Sequence, residues 1–147
     1  MTIGTQYLTH GDRVEPRTVL AWTTLVAGAL VLLFWAVYFS DAAALGQQDP
    51  VKASFEAAFP MADLLFAGML IATGVLFLMR RESAVFFLIA AASMSLYLGI
   101  LDVTFYGTHG LYAPLTPDAI TELAINALCL GGGVFGLRMA WQLRRMS

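Results

Sequence analysis

Charge is scarce in this chain. Of its 147 residues only 12 % are Asp, Glu, Lys or Arg, about half the share of an ordinary soluble domain. Hydrophobic residues make up 59 %, more than one soluble core of this size can hide, so the missing solvent is lipid. Cysteine is nearly absent: Cys129 stands alone, which excludes an internal disulfide and a Cys-only metal cluster. The two histidines, His10 and His109, lie outside the apolar runs, which excludes bis-histidine haem ligation within a bilayer. A net charge of −2 is too weak, and of the wrong sign, for a nucleic-acid binder. No Ser or Cys stands in a nucleophile arrangement. Gly131-Gly132-Gly133 with Gly136 lies mid-run with no Lys-Ser/Thr after it, so it reads as helix packing rather than a phosphate loop. No cofactor is implied. No metal is implied either, because Glu56, Asp63, Asp102, His109 and Glu122 lack the spacing of a known site. No cleavable signal peptide is visible, since the first apolar run starts after residue 17 and is long enough to span.

What the chain does have is four apolar runs, at about residues 18–39, 58–79, 84–106 and 118–141, each sufficient to cross about 30 Å of hydrocarbon. The reading is an all-α, four-helix transmembrane bundle forming one integral membrane domain over residues 1–147. A polar leader occupies residues 1–17 and a polar loop residues 40–49. Trp22 near one end of the first run, and Trp35 and Tyr38 near the other, fall where interfacial aromatic belts are expected. Asp49-Pro50 and Thr116-Pro117 are cap and first-turn pairs, and Arg80-Arg81-Glu82-Ser83 is a tight turn. The second helix is expected to start at Pro50, bend at Pro60 and continue to Met79.

Basic residues give the orientation. Arg13, Arg17, Arg80, Arg81, Arg138, Arg144 and Arg145 fall on one side and Lys52 alone on the other, which places both termini in the cytoplasm. Acids show the reverse bias, and they do not set topology, so their asymmetry needs another cause.

That cause is sought in three helices. Asp63, Asp102 and Glu122 are expected roughly 5–8 Å inside the same leaflet at 1.5 Å per residue. On a continuous second helix, Glu56 and Asp63 share one face about 10 Å apart. Tyr106 lies one turn above Asp102 and Asn126 one turn below Glu122, with Glu56 and His109 over the opening. Below the acids the stripes turn small (Ala67 and Gly74; Ala91, Ser95 and Gly99; Cys129 and Gly133), which suits close helix packing. The expected picture is a bundle closed in its cytoplasmic half, with an acidic pocket open to the outer leaflet. No basic side chain within the apolar runs can pair with Asp63 or Asp102, so each must be protonated, hydrogen-bonded or hydrated. Asp118, in a first helical turn, reads as a capping acid.

The opening Phe59-Pro60-Met61-Ala62-Asp63 of a helix, in a four-span chain of this length, resembles small uncharacterised bacterial membrane proteins of the DUF5360 type. That resemblance implies a bacterial inner-membrane location and brings no activity.

Three functions fit these residues. The first is a binding or accessory protein for a lipid-like or cationic small molecule, using Glu56, Asp63, Asp102, Tyr106, His109, Glu122 and Asn126. The second is an intramembrane isomerase or hydrolase of a lipid-soluble substrate, with Asp63 and Asp102 as proton-transfer groups. The third is a structural subunit of a homo-oligomer or larger membrane complex, whose acids only lock helices together.

Overall fold

The computed structural model describes residues 15–40 and 50–146. The leader, His10, the 41–49 loop and the Asp49 cap lie outside the described residues. The described residues are helical, without strands: α1 (Pro16–Ser40), α2 (Pro50–Glu56), α3 (Pro60–Leu78), α4 (Ser83–Thr108) and α5 (Pro117–Met146). All but α2 are long and apolar enough to cross a membrane, and the chain is a multi-pass membrane protein. One end of the bundle carries the arginines. The other carries most of the acids.

The expected bend at Pro60 is a full break. Proline has no N–H, and its ring clashes with the carbonyl four residues back, here that of Glu56. The chain tightens before it: the Ala58 N–H donates to the Phe55 carbonyl (3.1 Å) and the Phe59 N–H to the Glu56 carbonyl (3.0 Å). Pro60 then opens α3 as its first residue. Two consequences correct the sequence reading. Glu56 and Asp63 do not share one helix face, and Asp63 sits in the first turn of a spanning helix, where the helix dipole favours an acid.

Packing follows the chain. α1 packs on α3, α3 on α4, and α4 on α5, whereas α1 and α5 do not form a comparably packed pair. Lipid tails offer no hydrophobic drive between helices, so close backbone approach must supply the cohesion. Gly28 of α1 faces Ala67, Leu70 and Ile71 of α3, and Gly74 of α3 faces Ala21 and Leu25 of α1. The α4–α5 pair repeats this arrangement, with Gly99 against Cys129 and Leu130, and Gly133 against Ala92 and Leu96. The Ser95 hydroxyl adds a bond to the Cys129 carbonyl across that pair (2.8 Å). At the arginine end, Leu20, Ala21, Phe77, Ala84, Leu88, Ala140 and Leu143 from all four spans form a closed plug.

Not every glycine packs. A Cβ on Gly74 would lie 2.5 Å from Leu25 Cγ and 2.7 Å from the Ala21 carbonyl oxygen, whereas one on Gly68, Gly131 or Gly132 would meet nothing within 4 Å. Gly74→Ala is therefore expected to destabilise the bundle by about 1–3 kcal/mol, as overpacking does. Gly68→Ala should match wild type or exceed it slightly, and thermal unfolding of the detergent-extracted protein compares the two.

Candidate functional site

Between the helices runs a cavity of about 410 Å³. Its apolar wall comes from every span, including Leu30 and Phe34 of α1, Phe66 of α3, Leu98 of α4, and Leu128 and Phe135 of α5. Glu56, Asp63, Asp102, Tyr106 and Glu122 line its acid end. Leu30, Leu128 and Phe135 are cavity wall and also more than half exposed, so the cavity opens along the seam where α1 and α5 are not packed. It reaches Leu20, Leu88 and Gly136, deeper toward the arginine end than the half-bundle pocket expected from the stripes. The plug residues close it below.

The centre of the acid end is a residue that the sequence reading left aside. Lys52 of α2 was counted only as the lone basic residue of its side, yet it is 3 % exposed. Its ammonium donates to Asp118 Oδ2 at 2.7 Å and lies 3.2 Å from Glu122 Oε1 and 3.7 Å from Glu56 Oε1. It also stands 5.5 Å from the centroid of the Tyr106 ring, within cation–π range. Burial alone would make Lys52 release its proton more readily. The Asp118 hydrogen bond and the Glu122 and Glu56 carboxylates outweigh that and hold its pKa above the ordinary value. Asp118, read as a capping acid, is thus an ion-pair partner that ties α2 to the first turn of α5. Phe55 adds a second tie, from α2 to α4, by stacking on Phe105 with centroids 3.7 Å apart.

The other expected residues sort as follows. The buried Tyr106 donates its hydroxyl to Glu56 Oε1 (3.2 Å), so Glu56 joins the lysine network to the cavity wall. Asp63 accepts a hydrogen bond from the Trp35 indole N–H (2.9 Å). Trp35 is therefore not a belt residue: at 7 % exposure its ring is buried, and an indole N–H in apolar surroundings requires an acceptor. Asp102 accepts no hydrogen bond among the described residues, and its charged neighbours are the acids Glu122, Asp63 and Glu56. Asn126 is buried behind the wall rather than in it; its amide donates to the Tyr112 hydroxyl (2.9 Å), and its oxygen has no partner among the described residues. His109 does not hang over the opening. It is exposed, with Nδ1 turned back to the Phe105 carbonyl oxygen (2.9 Å), and it does not line the cavity. Among the described residues no group of three or more His, Cys, Asp or Glu is placed to hold a metal ion.

Compared with protein families, curated proteins and solved structures, the chain matches none.

The lysine network gives a sharp expectation. Lys52→Met leaves three carboxyl groups without their cation and should cost about 3 kcal/mol, the scale for breaking a buried pair. Because the folded pKa is raised, the contribution of Lys52 is complete below its ordinary value of 10.5 and lost as pH rises through the higher folded value. The gap between wild-type and Lys52→Met unfolding temperatures should hold steady from neutral pH to about pH 10 and narrow above it.

Proposed function

We propose that this protein binds an amphiphilic small molecule with an apolar body and a cationic, hydrogen-bond-donating head. One observation carries the reading: an apolar cavity, open along a helix seam to the bilayer, has Asp102 on its wall without a hydrogen-bond donor among the described residues. A lipid-like body suits the wall, and an ammonium head supplies what Asp102 lacks at a depth where an isolated carboxylate is costly. The acid end supports the same head chemistry. Three carboxyl groups surround the single ammonium of Lys52, and Asp63 and Asp102 add two more with no base beside them. The resemblance of the Phe59–Asp63 opening to small bacterial four-span proteins favours the inner membrane of a bacterium as the location, with the acid end outward.

An intramembrane enzyme is the second reading, because Asp63 and Asp102 share one cavity in unlike surroundings. The first is held by Trp35 and the second has no donor among the described residues. Two carboxyl groups so differentiated are the raw material for acid and base roles on a lipid-soluble substrate.

Dodecylamine and dodecanol, matched in chain length, test the binding reading. Dodecylamine should raise the unfolding temperature of wild type and quench Trp35, which lines the cavity, and Asp102→Asn should weaken its binding about tenfold or more. Dodecanol should bind both forms alike. Equal response of wild type and Asp102→Asn to the amine would overturn the assignment of Asp102 as the head-group acceptor.

A further inference from the structure

A second cavity lies at the opposite end of the molecule and has the opposite character. It measures about 420 Å³ and is lined by Arg17, Arg80, Arg81 and Arg144, with Glu82 as its one acid. The arginines come from the first turn of α1, the α3–α4 turn and the last turn of α5. Arg80 is aimed by the turn itself: it adopts a left-handed φ of 55°, while the Arg81 N–H closes back on the Leu76 carbonyl (2.9 Å). Among the described residues only Arg80 has a carboxylate within ion-pair reach, the exposed Glu15 at 3.9 Å. Topology alone asks for arginines on this side, not for their convergence. Arg138 and Arg145 satisfy the same rule outside the cavity, Arg145 lying over the Trp141 ring at 4.9 Å.

The floor is what distinguishes this cavity from a simple anion site. Phe77, Val85, Phe86 and Ile89 form it, and Phe86 is 70 % exposed. Ile89 lies six residues into α4, about 9 Å along the helix at 1.5 Å per residue. The wall therefore passes from guanidinium groups at the end of the bundle to apolar side chains within about the first two turns of α4. A free phosphate would leave the floor unused.

We propose that this cavity binds an anionic phospholipid from the arginine-side leaflet, its phosphate among Arg17, Arg80, Arg81 and Arg144 and an acyl chain along Val85, Phe86 and Ile89. The site is independent of the acid-end cavity, being separated from it by the Leu20–Phe77–Leu88–Ala140 plug. Basic pockets between spanning helices recognise lipid headgroups through the same combination of charge and interfacial depth.

The test uses the full chain in a neutral detergent, titrated with phosphatidylglycerol or phosphatidylcholine and read by native mass spectrometry and thermal unfolding. Wild type should retain phosphatidylglycerol in preference to phosphatidylcholine and be stabilised by it. Removing two cations in Arg81→Gln/Arg144→Gln should weaken phosphatidylglycerol binding roughly thirty-fold. Arg81→Lys/Arg144→Lys, which keeps the charge that sets topology, should retain most of it. That variant also guards against a mere insertion defect, because it must bind where the Gln pair does not. Equal retention of the two lipids would overturn the proposal, as would an unaffected Gln pair or a Lys pair as weak as the Gln pair. Stabilisation by inorganic phosphate equal to that by phosphatidylglycerol would also overturn it, by showing a site that reads the anion and ignores the chain.

Discussion

Helices in lipid gain nothing by hiding apolar side chains from one another, so whatever joins them must come from close contact. In this molecule the contact is made where glycine lets one backbone reach another. Gly28 and Gly74 join α1 to α3 reciprocally, and Gly99 and Gly133 do the same for α4 and α5. Between α1 and α5 no such exchange occurs. Leu30 and Phe34 confront Leu128 and Phe135 across open space, and Gly132 has no neighbour within 4 Å of where a Cβ would stand. The cavity is thus the complement of the glycine contacts.

Polar groups are distributed on the same economy. Most threonine hydroxyls within the spans return to carbonyls of their own helix, as in Thr24 to Leu20 (2.9 Å) and Thr73 to Met69 (2.7 Å), and so are neutral toward packing, whereas Ser95 reaches across to the Cys129 carbonyl (2.8 Å). Lys52, brought in from α2, gathers acids from two elements and closes the end of the bundle by charge rather than by apolar packing. Asp63 is matched by one indole N–H. Asp102 is the group this arrangement leaves over, and it faces the cavity. The arginine end inverts the pattern, with an apolar plug inside and guanidinium groups gathered at its rim.

The four spans were legible because run length and hydropathy are properties of consecutive residues. The four cavity acids, Glu56, Asp63, Asp102 and Glu122, were legible too, since a carboxyl group in or just before an apolar run stands out in one dimension. Pro60 was read as a bend because its position allowed either outcome. The break followed from the two turns that tighten before it and from the room for α2 to fold over the acid end. Trp35 was misplaced in a belt and His109 over the opening because each lies at the correct depth but on a face that sequence spacing could not orient. Lys52 was passed over for a related reason: a lone lysine beside a polar loop ordinarily points to water.

Length, hydropathy and the count of arginines by themselves determined that this is a four-span bundle, which end carries the basic residues, and that acids gather at the other. Those properties accumulate along the chain and need no knowledge of how one helix is rotated against the next. Tertiary structure alone decided that Lys52 would meet Asp118, 66 residues away, that Asp63 would be paired and Asp102 left without a donor among the described residues, and that α1 and α5 would stand apart. Each of these depends on the azimuth and relative height of two helices. Both are fixed by which small residues come into contact, a choice made between helices rather than within them.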